Sequence, residues 1–370
     1  MINNQCFTPP HHCLNSVRKE RQSNFELLRI VAMILVLMVH VNFFSVEMPD
    51  AADVISKPWQ SYMRFAMESF SIVGVNVFVL ISGYFGIRTR PKSIANLIFT
   101  VVYWMVLTIF LFCTTPLRAV HPETPALLTG IGHTVFNSAY WFVYAYFLLL
   151  LFAPILNSWL SATDDRSLVR FIIVMLVVQL LGNVLLQIIG GFGSGYSVLS
   201  FIVLYCLGAY FRKHTAYMRV SPKVLCIVYL VMAAMTGAVM TVTTASLGSS
   251  LLYDAINRFC YVYNSPLVIA QSVTLFLLFA QMKIQSRIIN YMAGSAFAVY
   301  LFHCSGLVAP IYKNLANSIY QNYSGLVYWC FIAGFIVTVF AIAVLLDQPR
   351  RAIWSYISRR VSVLIPARGR

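Results

Sequence analysis

An arginine and a histidine share one long apolar segment near the start of the chain. The segment at residues 24–46, NFELLRIVAMILVLMVHVNFFSV, carries Arg29 near its beginning and His40 in its second half. If the segment is a helix, the interval between them is about three turns and about 16 Å of rise, so both side chains lie on one face. The pattern therefore aligns a cation with a ring that can act as a base near neutral pH.

Each of these groups also has an ordinary structural explanation. His40 could be satisfied by a hydrogen bond to a neighbouring helix, and Arg29 could be an anchor at the membrane rim. Glu26, three residues before Arg29, could be an acid that favours a helix N-terminus, or it could orient the guanidinium. These residues alone do not decide between a packing role and a catalytic role.

The composition indicates the class of protein. The 370-residue chain is 60% hydrophobic and 10% charged, well below the roughly 25% charge of soluble domains, and its apolar residues form runs of membrane-spanning length. We predict an all-α polytopic membrane protein. The net charge of +15 does not indicate a nucleic-acid binder, because no polar domain gathers the basic residues on one face.

The eight cysteines are scattered without C-x-x-C spacing, and most lie within or beside apolar runs. We therefore predict buried free thiols, with neither a metal site nor a disulfide framework. The cysteines are Cys6, Cys13, Cys113, Cys206, Cys226, Cys260, Cys304 and Cys330.

The chain divides into two tails and one integral membrane domain. We predict a cytoplasmic N-terminal tail at 1–22, a membrane domain at 23–347 and a basic cytoplasmic C-terminal tail at 348–370, whose Arg pairs and aromatic residues suit an anionic membrane surface. About ten transmembrane helices are predicted, at 27–46, 65–86, 94–115, 139–160, 168–189, 196–211, 224–245, 261–281, 293–311 and 326–346.

The sixth predicted span is short and follows the glycine-rich GGFGSG at 190–195, so it could be tilted, re-entrant or merged with its neighbour. The distribution of basic residues predicts how the spans are oriented in the membrane. Of the 26 Lys and Arg residues, 21 lie in the tails, at Arg29 or in alternate loops on the same side, and 5 lie in the opposite loops. This bias predicts that both termini are cytoplasmic and explains most of the net charge.

The second span ends at a basic loop, Arg88-Thr-Arg90-Pro-Lys92. Asn76 lies about as far from this loop as His40 lies from Arg29, so the two can share a depth on antiparallel helices. Ser82 and the glycine after it could serve helix packing or open space for a phosphate-bearing ligand. The basic residues of this loop could also serve only to set the membrane topology.

Five short motifs, in order along the chain, resemble the membrane-bound acyltransferase family 3. They are Arg29-x10-His40 with Glu26 before it, FVLISGYF at 78–85, the segment at 140–157 with Trp141 and Pro154, GSAFAVYLFH at 294–303 with Tyr300 and His303, and DQP at 347–349. The chain departs from the family pattern at Glu26, where Asp is commoner, at Asn76, where an acid is frequent, and at Ala296, where Ser is usual.

The resemblance implies an O-acyltransferase in the cytoplasmic membrane of a bacterium. The implied donor is cytoplasmic acyl-CoA, usually acetyl-CoA, used as a substrate with no bound cofactor. The implied acceptor is a sugar hydroxyl of a surface polysaccharide or its lipid-linked precursor. Membrane lipids are the other expected partner, and nucleic acid is not one.

The implied roles fall on three groups of residues. His40 is the expected general base or acyl-accepting nucleophile, with Arg29 and Glu26 orienting it or the donor. The coenzyme A phosphates are expected at Arg88, Arg90, Lys92 and Ser82. Substrate contacts are expected at Asn76, Tyr300, His303 and Trp141.

Two other classes use similar features. A secondary transporter or flippase also needs intramembrane polar groups, together with paired half-repeats and broken helices. GGFGSG is such a break, and no counterpart is evident in the sequence. A non-catalytic sensor or scaffold is the third possibility.

Overall fold

The computed structural model describes residues 21–114, 140–185, 190–214, 219–248 and 250–364. Within these residues every regular element is a helix, which agrees with the predicted all-α class. The α-helices are α1 Ser23–Val46, α2 Ala51–Ser56, α3 Pro58–Ser71, α4 Gly74–Phe85, α5 Pro91–Thr114, α6 Trp141–Ala162, α7 Asp165–Gln179, α8 Val198–Lys213, α9 Pro222–Leu247, α10 Leu251–Tyr261, α11 Pro266–Ala280, α12 Arg287–Ala293, α13 Ala296–His303, α14 Ala309–Asn322, α15 Gly325–Leu346 and α16 Gln348–Leu364.

Seven helical segments of the described chain are long and apolar enough to cross a membrane. This finding agrees with the prediction of a multi-pass membrane protein. The segments are Ser23–Val46, Pro58–Phe85, Pro91–Thr114, Trp141–Ala162, Pro222–Leu247, Leu251–Ala280 and Gly325–Arg360.

Three of the ten predicted spans are not among these seven. The span predicted at 168–189 begins as α7 and continues as a π-helical turn, Leu180–Leu185, and residues 186–189 lie outside the described chain. Helix α8 has 16 residues, about 24 Å of rise, which is less than the roughly 30 Å of a bilayer core. The span predicted at 293–311 is divided among α12, α13 and α14. Ten spans and cytoplasmic termini therefore stay predictions.

Interruptions divide several helical segments. Helix α3 gives way to α4 at residues 72–73, and α10 gives way to α11 at 262–265, where Ser265 caps the new helix and a proline opens it. Helix α13 ends at His303, and α14 begins at Ala309. Two interruptions are joined, because Asn76 Nδ2 donates to the carbonyl oxygen of Tyr263 at 2.7 Å. The freed backbone groups thus find partners inside the protein, as a membrane interior requires.

Helix α1 is the centre of the bundle. It packs against α3, α4, α11, α12, α13, α14 and α15. Leu28, Leu37 and Val41 are fully buried, and buried residues occur around the whole circumference of the helix. A helix that is apolar on all sides is stable only when it is enclosed, so the long apolar segment at residues 24–46 marks the core of the protein.

Helices α4 and α8 approach each other through two glycines. A Cβ atom at Gly83 would lie 2.1 Å from the carbonyl oxygen of Tyr205, and one at Gly208 would lie 2.3 Å from that of Leu80. Backbone contact of this kind requires residues without a side chain. Gly83 therefore serves helix packing.

We predict that Gly208→Ala lowers the free energy of unfolding by about 1–3 kcal/mol, since the added methyl group overlaps a backbone oxygen and forces the two helices apart. The measurement is unfolding of the purified protein in detergent. Gly334→Ala is the matched control, because a Cβ there meets nothing within 4 Å in the interior of α15. Equal stability of the two variants would contradict the packing role.

Candidate active site

The candidate site begins at an ion pair in the first turns of α1. Glu26 Oε1 accepts a hydrogen bond from Arg29 Nη1 at 2.7 Å. Glu26 is also the acid of the first helical turn, so both sequence interpretations of this residue hold together. The carboxylate holds the guanidinium in the wall of a cavity that both residues line.

The cavity has a volume of about 510 Å³ and runs along α1. Arg29, Met33 and Val36 line it, which are positions of one helix face, and the next position of that series is His40. Its other lining residues include Ser82 of α4 and Tyr300 of α13. The part of α1 that lines the cavity thus runs from the charged Arg29 to the apolar Val36, and His40, about one turn further on, is not itself a lining residue.

His40 is hydrogen-bonded to a second histidine. Its Nδ1 lies 2.8 Å from Nε2 of His303, and Nδ1 of His303 lies 2.7 Å from the carbonyl oxygen of Val299. A carbonyl oxygen only accepts, so Nδ1 of neutral His303 carries the proton and its Nε2 is the acceptor. Nδ1 of His40 is then the donor, and the lone pair of His40 lies on Nε2.

This chain of two hydrogen bonds leaves His40 able to act as a base. Its free lone pair is at Nε2, and a proton taken there leaves a positive ring whose Nδ1–H already points at an acceptor. His303 is buried, whereas His40 keeps part of its surface accessible. His303 therefore positions His40 rather than facing an open site itself.

Beyond His40 along α1, buried polar side chains form a hydrogen-bonded network. Asn42 Nδ2 donates to Glu68 Oε2 at 3.0 Å, and Arg64 Nε donates to Asn42 Oδ1 at 3.1 Å. The Arg64 guanidinium also lies 4.9 Å from the ring centre of Tyr320. This network is not among the features predicted from the sequence; its signal there is the Arg64 and Glu68 pair at i, i+4 of one helix.

Further basic residues gather around the polar end of the cavity. A neighbouring cavity of about 370 Å³ is lined by Arg29, Ser82, Arg88 and Arg350. Arg88 also lines another cavity of about 370 Å³ beside Arg212 and Lys213. Two predicted phosphate ligands lie elsewhere: Arg90 and Lys92 are exposed and stand outside the walls of these cavities.

Arg350 is a candidate site residue that the sequence analysis missed. Its guanidinium donates to both carboxylate oxygens of Asp347, at 2.5 and 2.8 Å, and to Thr100 Oγ1 at 3.0 Å. Trp104 Nε1 donates to the same carboxylate at 3.1 Å. Both charged groups are buried. The signal in the sequence is the arginine three residues after the acid of DQPR at the start of a helix.

The remaining predicted substrate contacts are spread around the site. Tyr300 lines the large cavity, and its ring centre lies 6.0 Å from that of His303. Trp141 stacks in an aromatic cluster, with ring centres 4.4 Å from Tyr196 and 5.7 Å from Tyr263. Asn76 bonds the backbone between α10 and α11, as described above. Contacts of these residues with a substrate stay predictions.

The described helices, seven segments of which are long and apolar enough to cross a membrane, surround a cavity whose wall carries Arg29 and Glu26. Comparison with known families specifies the class: the model of the acyltransferase 3 family, described as an acyltransferase domain, matches residues 22–347. The chain therefore belongs to this family, and the resemblance inferred from the motifs is confirmed. No curated protein and no solved structure matches the chain.

We predict that Asp347→Ala lowers the free energy of unfolding by about 3–5 kcal/mol, because it leaves the buried Arg350 guanidinium without a counter-charge. Glu26→Ala is the comparison, with an expected cost of about 0–1 kcal/mol, since the Arg29 side chain is 32% exposed and keeps contact with water. Unfolding in detergent measures both.

The double variant Asp347→Leu/Arg350→Met provides the control. It removes both charges together, so it should recover much of the stability lost in Asp347→Ala. A double variant as unstable as the single one would show that packing at these positions, and not the unpaired charge, sets the loss.

Proposed function

We propose that this acyltransferase moves an acetyl group from acetyl-CoA to a hydroxyl group of a sugar in a surface polysaccharide or its lipid-linked precursor. The observation that carries the proposal is the cavity that leads from Arg29 along α1 towards His40. One end of this cavity is a cationic pocket, where a polyanionic donor can bind, and about one helical turn past its lining residue Val36 lies His40, a base that can activate an alcohol.

The donor occupies the basic end of the bundle. Coenzyme A carries several phosphate charges, and Arg29, Arg88 and Arg350 line the adjoining cavities. Planar guanidinium groups bind phosphate through paired hydrogen bonds. Arg350 is held in place by Asp347, and Arg29 by Glu26, so both enter the complex with little loss of side-chain freedom.

The pantetheine arm follows the apolar part of the cavity. Met33, Val36 and Val75 form a wall suited to an extended and mostly uncharged chain. The arm brings the thioester from the arginines towards His40, a distance of about 16 Å along the helix. Donor and acceptor then meet inside the bundle.

His40 acts as the general base. Its Nε2 takes the proton of the sugar hydroxyl as the oxygen attacks the thioester carbonyl, and the coenzyme A thiolate leaves. His303 accepts the hydrogen bond from Nδ1 of His40 throughout and so stabilises the charged ring. An acyl-histidine at Nε2 is the two-step form of the same chemistry.

The basic end of the bundle faces the cytoplasm of a bacterium in this proposal. Acetyl-CoA is a cytoplasmic metabolite, and 21 of the 26 basic residues belong to the predicted inner side. The end that carries Arg64 and Glu68 then faces outward, towards the glycan.

A transporter or flippase is the second candidate. The interruptions at residues 72–73, 262–265 and 304–308 favour it, because discontinuous helices form substrate sites in many transporters. Family membership argues for the transferase. Label from acetyl-CoA found on a saccharide indicates an enzyme, whereas solute movement without the donor indicates a transporter.

We predict that His40→Ala lowers the transfer of labelled acetyl to surface glycan by about a hundredfold or more, since general-base catalysis contributes about 10²–10⁴ in rate. The assay uses protein reconstituted in vesicles, with glycan mass as the readout. His214→Ala, a change in a histidine paired with Asp165 at 3.2 Å, is the matched control and should keep wild-type activity. Wild-type turnover in His40→Ala would remove the proposed mechanism.

We predict that Arg88→Ala and Arg350→Ala each raise KM for acetyl-CoA about tenfold to a hundredfold, because hydrogen bonds to charged groups are worth about 1.5–3 kcal/mol. Arg90→Ala and Lys92→Ala should raise KM less, because neither side chain lines the cavities that contain Arg29, Arg88 and Arg350. Initial rates at varied acetyl-CoA measure all four. An unchanged KM in Arg88→Ala would assign that charge to membrane topology alone.

A further inference from the structure

Three atoms that commonly bind metal ions converge beside the proposed base. Nδ1 of His40 and Nε2 of His303 are 2.8 Å apart, and Sγ of Cys304 lies 3.7 Å from the first and 3.3 Å from the second. His303 and Cys304 are buried, and His40 is partly accessible. The proposed reaction uses the two rings and gives the thiol no role.

The spacing is close to that of a tetrahedral zinc site. Zn–N bonds of about 2.0–2.1 Å and a Zn–S bond of about 2.3 Å place two nitrogens about 3.3 Å apart, and a nitrogen and a sulfur about 3.6 Å apart. The two sulfur–nitrogen distances here, 3.3 and 3.7 Å, bracket that value. The two nitrogens need to separate by about 0.5 Å, which a rotation of the partly accessible His40 ring provides.

The surroundings resemble those of metal-binding histidines. Such a histidine usually donates its other ring N–H to a carbonyl or carboxylate, which fixes its orientation, and Nδ1 of His303 has this bond to Val299. Two imidazoles and a thiolate suit Zn²⁺, whereas Mg²⁺ and Ca²⁺ prefer oxygen ligands. Three protein ligands leave the fourth position open for water.

We propose that His40, His303 and Cys304 bind Zn²⁺ and that the bound ion switches the acyltransferase off. The inhibitory half rests on the function proposed above. Zinc bonds to Nδ1 of His40, Nε2 of His303 and the thiolate of Cys304, and the thiol proton is released to solvent. His40 changes tautomer: its proton moves from Nδ1 to Nε2, and the lone pair that serves as the base is lost.

The proposed site differs from the expectation that the cysteine spacing gives, which is that no metal site is present. The three ligands are invisible to motif analysis because His40 lies 263 residues before His303 in the chain. Cys304 is next to His303, yet an isolated His-Cys pair specifies no metal.

The direct test uses Co²⁺ as a spectroscopic substitute for Zn²⁺, added to the purified full-length protein in detergent. Wild-type protein should show the visible bands of tetrahedral Co²⁺ and a thiolate-to-cobalt charge-transfer band, and one equivalent of Zn²⁺ should remove both. Cys304→Ser should lose the charge-transfer band. Cys260→Ser is the matched control, since Cys260 is equally buried in a separate cluster with Val54, Phe65 and Met240.

The kinetic test measures inhibition of acetyl transfer by Zn²⁺ and its reversal by a chelator. Cys304→Ser and Cys304→Ala should keep basal activity, since the proposed reaction gives the thiol no role and both changes leave the two rings in place, and should raise the half-inhibitory Zn²⁺ concentration at least tenfold. Inhibition unchanged in both variants would overturn the switch, as would the absence of a cobalt spectrum in wild-type protein. The cobalt spectrum does not depend on turnover. If the protein is inactive but still binds cobalt, the proposed function is wrong and the metal site stands.

Discussion

The hydrogen bond between His40 and His303 is the contact on which the site depends. It joins the central helix to a short helix near the end of the membrane domain, and the carbonyl of Val299 decides which ring nitrogens carry protons. In a low-dielectric bundle two neutral rings can be buried without a counter-ion, provided that each donor has an acceptor. The arrangement therefore places a usable lone pair inside an apolar core without burying a charge there.

The two ion pairs near the site, Arg29 with Glu26 and Arg350 with Asp347, differ in their exposure. The Arg29 and Glu26 pair keeps contact with water through the Arg29 side chain, whereas Arg350 and Asp347 are buried and share two further polar partners between them, Thr100 and Trp104. A buried ion pair of this kind contributes little net stability but fixes geometry, because any other arrangement leaves a charge without a partner. Such fixed arginines suit the recognition of a phosphate-rich donor.

Much of the architecture was accessible from local sequence patterns, and the site was accessible only in part. The membrane class, the common face of Arg29 and His40, and the family follow from composition, helical periodicity and short motifs. The division of residues 293–311 into three helices does not, because an apolar run is compatible with one long helix or several short ones. The contacts of His40 with His303 and of Arg350 with Thr100 join distant parts of the chain, and no local pattern encodes them.

The end of α13 at His303 has an electrostatic consequence. Peptide dipoles leave a partial negative charge at the C-terminus of a helix, and this charge stabilises a nearby cation by typically 0.3–1 kcal/mol, more when the site is partly buried. His303 is the last residue of α13, and its ring is hydrogen-bonded to that of His40, the ring that becomes positive in the proposed reaction. In the proposed reaction, the helix that interrupts a predicted span thus supplies a preorganised field for the charge that develops on His40.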